Sequence, residues 1–361
     1  MNWPDNGASA AARQQLAAAL VAGRPSEWSD AFASVPRHMF VPRFYRQNAE
    51  GAWQSVTWGE PGYLETVYSD AALTTQLDDR GVPTSSSSQP SLMLSMLEAL
   101  DATEGHRVFE LGTGTGYNLG LLAHQLGDAN VTSVDIDPGL IEDAVRHLQH
   151  AGFNPTVAVG DGAQGYPRRA PYDRIISTVG LHMIPQPLLH QASPGAVLVV
   201  PLGYGIMRAT VTGPGHATGR FLTTPAHFMA RRTNGAAPQF EAADQQSPTD
   251  SSVPAEALLG RLKFAASLAL PGYSSCSWRD EGGQLEAVGL WTPDGSTAIA
   301  HVSGAVRQTG PQQIWDTVED LDKVFGSEPA RDEFVLTVTP TRQTVSYGDT
   351  DGPSWALPTA L

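Results

Sequence analysis

Between residues 107 and 203 the chain alternates short β-branched apolar runs with helix-length segments, and few folds accept that rhythm. The runs are RVFELG (107–112), NVTSVDI (130–136), PTVAVGD (155–161), YDRIISTV (172–179) and AVLVVPLG (196–203). Between most of them lie amphipathic stretches such as LIEDAVRHLQHAG (140–152), which stops at Gly152. Apolar runs of this kind need both faces covered, so strand and helix in turn predict an α/β fold with a mostly parallel sheet and helices on both sides. In such sheets ligands bind beyond the carboxyl ends of the strands.

The first run continues as VFELGTGTGYN (108–118). Glycines at Gly112, Gly114 and Gly116 let the backbone turn tightly and approach a ligand with no side chain between. The spacing is G-x-G-x-G, and Tyr117 breaks the G-x-G-x-x-G of a dinucleotide site, which weakens a pyrophosphate cradle. Glu110 adds negative charge beside the turn, which suits a cationic sulfonium better than phosphate. The second run ends at Asp135, which either accepts hydrogen bonds from two ribose hydroxyls or is a turn residue of DIDPG. The third ends at Gly160-Asp161-Gly162, where an acid in a close-approach loop either meets an adenine amino group or simply makes a turn. Taken together, these features predict an S-adenosylmethionine site, with S-adenosylhomocysteine as product, built from Ser86, Glu110, Gly112, Thr113, Gly114, Gly116, Asp135, Ile136, Asp161 and Gly162.

The flanks organise around this core. Residues 1–80 read as a helical and irregular segment packed on a catalytic domain at 81–232. Within it, SAAARQQLAAALVAG (9–23) has a short surface helix's spacing, and VPRHMFVPRFY (35–45) is an irregular stretch bracketed by prolines, with His38 structural. VPTSSSSQP (82–90) precedes the helical SLMLSMLEAL (91–100), which puts a serine cluster at a helix N-terminus. The Pro, Ser and Asp-rich 233–256 reads as a linker. Residues 257–361 form a smaller α+β domain, with a hairpin around Asp294-Gly295, the helical IWDTVEDLDKVF (314–325) and the alternating FVLTVTP (334–340).

A formal charge of −15 and a pI near 5.0 repel phosphate backbones, so no nucleic-acid partner is expected. The single Cys276 excludes an internal disulfide and reads as a small buried thiol in a reducing compartment. MNWPDNGASA lacks a signal-peptide pattern and no apolar stretch is long enough to span a bilayer, so a cytoplasmic protein with no membrane partner is expected.

The chain resembles the protein-L-isoaspartate O-methyltransferases. The likeness runs in order through VPRHMFVP, SSSQPSLM, VFELGTGTGYN, VTSVDID, GDGAQGYPRRAPYDRIIST and IPQPLLHQASPGAVLVVPLG, over roughly residues 30 to 232. It implies a Rossmann-like class I methyltransferase with S-adenosylmethionine as donor and a side-chain carboxylate of a peptide or protein as acceptor. The family's active-site serine falls in a Thr-Ile-Ser-Gln-Pro motif, which matches Ser86 to Pro90 and makes Ser88 the catalytic candidate, flanked by Ser87 and Gln89 as substrate contacts. At a helix N-terminus Ser88 is expected to orient the acceptor by hydroxyl and backbone hydrogen bonds, not to attack. A carboxylate with a pKa of about 4 is already ionised at neutral pH and needs no base. His182 is either a further substrate contact or incidental, while His124, His147 and His150 lack metal-ligand spacing. A serine-hydrolase reading lacks G-x-S-x-G.

Three features depart from the repair members of that family: the long stretch 51–79, Ser86-Ser87 in place of Thr-Ile, and some hundred residues after the linker. They resemble an actinobacterial branch associated with ribosomal peptide pathways to lanthipeptides, graspetides and lasso peptides. The branch implies methylation of an Asp in a cyclised precursor peptide, whose ester closes to a succinimide (aspartimide) and opens to Asp or isoAsp. The alternatives are general isoaspartyl repair and a non-catalytic scaffold that binds the cofactor. The last hundred residues would grip the peptide or merely stabilise the fold, and Trp278, Trp291 and Trp315 would line a peptide surface or pack a core.

Overall fold

The computed structural model describes residues 4–232 and 246–359. A ten-stranded sheet organises them, in spatial order Thr156–Val159, Val131–Asp135, Val108–Leu111, Tyr172–Ser177, Ala192–Leu202, Gly205–Gly213, His216–Pro225, Phe334–Val338, Gln343–Tyr347 and Ser354–Leu357. The first five strands are parallel, as the alternation predicts. Every later pairing is antiparallel, so within residues 81–232 the sheet is mostly parallel, five strands of seven, and the C-terminal part adds three antiparallel strands to its edge. The change comes at Gly203-Tyr204. Gly203 takes φ +58° and the chain returns at once as a hairpin, whereas a parallel neighbour needs a crossover of about a dozen residues.

Strand alternation divides the apolar residues between two cores. Leu198, Val200 and Leu202 face a core that includes Phe264, Trp315 and Phe334, all from the last hundred residues. Val197 and Val199 face the other, filled by Phe32, Phe40, Leu97, Leu119 and Leu122. The C-terminal part is therefore a β-rich addition that shares a core with the sheet and extends it by three strands. Residues 233–245 of the expected linker lie outside the described residues. From Thr249 the chain is already structured: Thr249–Asp250 pairs with Ala305–Thr309 at the edge of a second, five-stranded sheet, and Val253 and Ala255 are buried. The hairpin forms where Asp294-Gly295 predicts it, with Gly295 at φ +85°. Trp315 is a core residue whose Nε1 donates to Ser251 Oγ at 3.0 Å.

The N-terminal segment is more regular than expected. A helix, Gly7–Val21, starts from an Asn6 cap. VPRHMFVPRFY is a single helical turn, Arg37–Phe40, followed by the strand Arg43–Gln47. That strand lies in a four-stranded antiparallel sheet with Trp53–Thr57, Leu73–Leu77 and Pro83–Ser87. The serine tract is thus largely a strand, and only Ser88 and Gln89 link it to the helix Pro90–Leu100. Threonine, glutamine and serine fill these strands, which hides the apolar alternation that announces a sheet. Among the described residues no helix is long and apolar enough to cross a membrane.

Candidate active site

Val108–Leu111 is the central parallel strand, with later strands on both sides of it, so the chain turns away in opposite directions beyond its carboxyl end. A crevice opens at such a point. Here it is a cleft of about 530 Å³. Of the residues the sequence nominates, Ser86, Ser87, Ser88, Gln89, Gly112, Thr113, Gly114, Asp135, Ile136, Asp161 and Gly162 line it, whereas Glu110, Gly116 and His182 do not.

The glycine loop shows why. Gly112 takes φ +95°, and a Cβ there would lie 2.7 Å from Thr178 Oγ1. The Gly114 amide donates to Asp135 Oδ2 at 2.9 Å, while Asp135 Oδ1 accepts from the Asp137 amide at 3.1 Å. Asp135 thereby ties the first crevice loop to the second. Gly116 serves packing: its φ is +86° and its missing side chain admits Ala144 of the helix Pro138–His150, 3.2 Å from where a Cβ would stand.

Glu110 is only 1 % exposed and sits beneath the cleft. It accepts from Asn118 Nδ2 and from Ser133 Oγ, each at 2.6 Å, and Ser133 Oγ meets Thr113 Oγ1 at 2.6 Å. Burial pushes its pKa up to about 7 despite those two donors. Its link to the cleft runs through Asn118 and Thr113, which do line it. Asn118 Oδ1 is buried with no hydrogen-bond partner among the described residues.

The far wall is a strap the sequence reading missed, residues 225–232, which lines the cleft along its whole length. Its backbone is pinned by Gly180 N–H to the Met229 carbonyl at 2.8 Å and by Arg231 N–H to the Gly180 carbonyl at 2.9 Å. Arg231 Nη1 donates to both Asp161 oxygens, at 3.0 and 3.1 Å, and Arg232 Nη1 to Asp137 Oδ2 at 3.1 Å. The paired arginines ahead of a Pro-rich stretch are the only sequence signal for it.

At the cleft mouth the serine turn is held by Arg37, a residue quoted within VPRHMFVP and assigned no role. Its guanidinium is wholly buried and donates to the carbonyls of Val67, Ser69, Ala71 and Ser88 at 2.9 to 3.1 Å. Burial lowers its pKa to about 10, so it stays cationic at neutral pH. Ser87 lines the cleft but is buried, and its Oγ accepts from Arg37 Nη2 at 3.3 Å. Ser88 lines the cleft, and its hydroxyl makes no hydrogen bond among the described residues. The amides expected to share its task are partly taken: Asp70 Oδ1 accepts from the Ser91 amide at 2.8 Å, and Gln89 Nε2 reaches Asp70 Oδ2 at 3.2 Å. His182 instead lies against Gly272 of the C-terminal part, its Nε2 3.4 Å from where a Cβ would stand. His38 bonds Tyr68, His147 the Thr115 carbonyl and His124 Asp30, all outside the cleft.

The cleft fits a nucleoside-bearing cation. Carboxylates stand at the ends of adjacent strands, the orphaned Asn118 Oδ1 offers an acceptor to an amino group, and the left-handed loop keeps side chains out of the way.

The profile of the family described as Protein-L-isoaspartate(D-aspartate) O-methyltransferase matches residues 21–212. A protein-L-isoaspartate O-methyltransferase of Archaeoglobus fulgidus is 38 % identical over 177 residues, 48 % of this chain and 70 % of that protein. One of Pyrococcus abyssi is 35 % identical over 182 residues, 50 % of this chain and 72 % of that protein. A solved structure titled protein-L-isoaspartate O-methyltransferase aligns with TM-score 0.55 and 20 % identity over 97 % of this chain and all of that one, a likeness of fold. Since that alignment takes in most of the last hundred residues, their presence does not set the chain apart from proteins of that name. With profile, relatives and crevice geometry in agreement, the chain belongs to the protein-L-isoaspartate O-methyltransferase family of S-adenosylmethionine-dependent carboxyl methyltransferases.

Proposed function

We propose that the protein methyl-esterifies the side-chain carboxylate of isoaspartyl residues in peptides or proteins. The observation that carries this is the Ser88 hydroxyl, unengaged at the mouth of the cleft on a turn fixed by Arg37. S-adenosylmethionine, when bound, supplies an electrophilic methyl group on sulfonium sulfur. Asp135 would hold the ribose, Asp161 with Gly162 would meet the adenine, and Asn118 Oδ1 would accept from the amino group of the methionine end. Ser88 donates to the acceptor carboxylate and aims its free oxygen. No side chain need take a proton, because an exposed carboxyl with a pKa of about 4 arrives ionised. What remains is positioning, which supplies on the order of 7 kcal/mol when the reacting groups are held near attack distance. The strap excludes water from one side.

Incubation with methyl-labelled S-adenosylmethionine and a peptide in isoAsp and Asp forms tests the proposal. Base-labile methyl ester on the isoAsp form is expected. Its absence from both forms, with cofactor bound, refutes the assignment.

A second reading is tailoring of one Asp in a cyclised, ribosomally made precursor. It is favoured by the stretch 51–79, which builds strands of the sheet that carries the serine turn, so that Ala72 and Thr74 reach the cleft wall. Faster turnover of a constrained Asp peptide than of linear isoAsp peptides supports it.

A further inference from the structure

A second cavity, of about 390 Å³, lies on the other side of the strap. Pro225, Ala226 and His227 line both it and the cleft, so a peptide crossing that three-residue sill reaches both. Tyr204 and the C-terminal part supply the remaining wall, which includes Arg261, Lys263, Glu328 and Arg331.

The charges there are unequal in their partners. Arg261 pairs with Asp322, and Arg331 with Glu328 at 3.1 Å. Lys263 makes no ion pair among the described residues, and its Nζ stands 4.5 Å from the centre of the Tyr204 ring. His227 extends this aromatic group, stacked on Tyr204 at 5.0 Å with 21° between the planes. Burial and the nearby Lys263 charge push the His227 pKa down, so at neutral pH the imidazole is uncharged and Lys263 is the cation left to offer. Lys263 is half-buried and makes no ion pair among the described residues, and the cavity's own carboxylate, Glu328, is taken by Arg331, so the ammonium can accept an incoming carboxylate despite the chain's negative net charge.

We propose that this cavity is an acceptor subsite for a carboxylate of the peptide a few residues from the one methylated, with Lys263 as charge partner and the Tyr204–His227 stack as apolar wall. The inference rests on the carboxyl-methylation reading only for what the peptide is doing in the cleft. Anion recognition itself is a binding property and is measured without turnover.

Three fluorescent isoAsp peptides differ in one feature: Glu three residues from the isoAsp with an amidated C-terminus, Gln there with an amidated C-terminus, and Gln with a free C-terminal carboxylate at that distance. Affinities are read by anisotropy with S-adenosylhomocysteine present. The Glu peptide is expected to bind about tenfold more tightly than the amidated Gln peptide, the size of a charge-assisted contact in a half-buried site. Whether the third peptide matches the first tells a side-chain carboxylate from a terminal one. Lys263→Arg keeps the preference and Lys263→Glu reverses it in favour of a Lys-bearing peptide, which a misfolded variant cannot do. The chain has only two lysines, Lys263 and Lys323, so amine labelling read by mass spectrometry gives a second measure, with peptide protecting Lys263 and not Lys323. Equal affinity for charged and neutral peptides, or a preference that survives Lys263→Glu, overturns the subsite. A preference without any methyl ester leaves the subsite standing and removes the carboxyl-methylation reading instead.

Discussion

Arg37 Nη2 donates to the Ser88 carbonyl oxygen at 2.9 Å, from a guanidinium that makes no ion pair among the described residues. A buried cation compensated by carbonyl dipoles is strongly destabilising to disturb, because its partners lose their donors at once. Here those partners are three segments: the chain at Val67 to Ala71, the end of the serine strand and the turn itself. Arg37→Lys keeps the charge and cannot span them. We expect a loss of about 2 to 4 kcal/mol in urea unfolding and at least about a tenfold fall in kcat. Cofactor affinity by calorimetry should change less than kcat, since the hydrogen bonds of the guanidinium all go to the acceptor side and it meets the cofactor side through the Tyr117 ring, 5.7 Å from its centre. Unaltered stability and turnover would show that the turn needs no such clamp.

Ser87 and Ser88 are neighbours with opposite roles. Ser87→Ala removes a buried hydroxyl from Arg37 and should cost about 1 kcal/mol of stability with a modest effect on rate. Ser88→Ala removes a hydroxyl with no hydrogen-bond partner among the described residues, so stability should hold while kcat/KM for a carboxyl acceptor drops about ten- to a hundredfold. Thermal melts beside methyl-transfer kinetics check both. The reverse pattern would exchange the two assignments.

The same pair shows what the sequence could disclose. The parallel half of the sheet was legible because its strands are buried on both faces and read as apolar runs. The cleft was legible because glycine and acid at strand ends have few other uses. The serine strand was not, since a polar edge sheet lacks apolar alternation, and the strand partners of Pro83–Ser87 lie in a segment that reads as an insertion. Arg37 gave no signal as a clamp because its acceptors are main-chain carbonyls, which carry no residue identity. Likewise, Glu110 has the charge a sulfonium site wants, but its hydrogen bonds turn it down into the sheet. The C-terminal strands read as a separate domain because sequence cannot show that their ladder partner is His216–Pro225.

Glu110 sets a pH dependence. Its pKa rises from 4.5 to about 7 in the folded protein, with burial the main cause, so between those values the native state binds the extra proton. Its contribution to stability is therefore full below about pH 4.5 and lost as the pH rises through 7, on the order of 3 kcal/mol in all. Glu110→Gln cannot ionise and should lack that slope. Subtracting its unfolding free energy from that of the wild type between pH 5 and 8 isolates the effect from other carboxylates. A flat difference would mean that Glu110 is charged throughout.

Gly180 fastens the strap, and it tolerates no side chain there. A Cβ at Gly180 would lie 3.0 Å from the Phe228 carbonyl oxygen and 3.4 Å from that of Met229, so Gly180→Ala must push the strap outward by a few tenths of an ångström. The carbonyl that moves is next to the one Gly180 N–H holds, and Arg231, whose amide returns to the Gly180 carbonyl, also grips Asp161. A shift at one residue therefore reaches the Asp161 end of the cleft. Little apolar area is lost, so the melting temperature should fall only slightly. Affinity for S-adenosylhomocysteine should weaken about five- to tenfold, roughly 1 to 1.4 kcal/mol. Arg231→Ala, which frees Asp161 without a steric push, separates the two causes: if the strap's position matters, Gly180→Ala weakens binding even with the arginine pair intact. Calorimetry on both variants decides it, and wild-type affinity in Gly180→Ala would mean the strap does not define the cofactor wall.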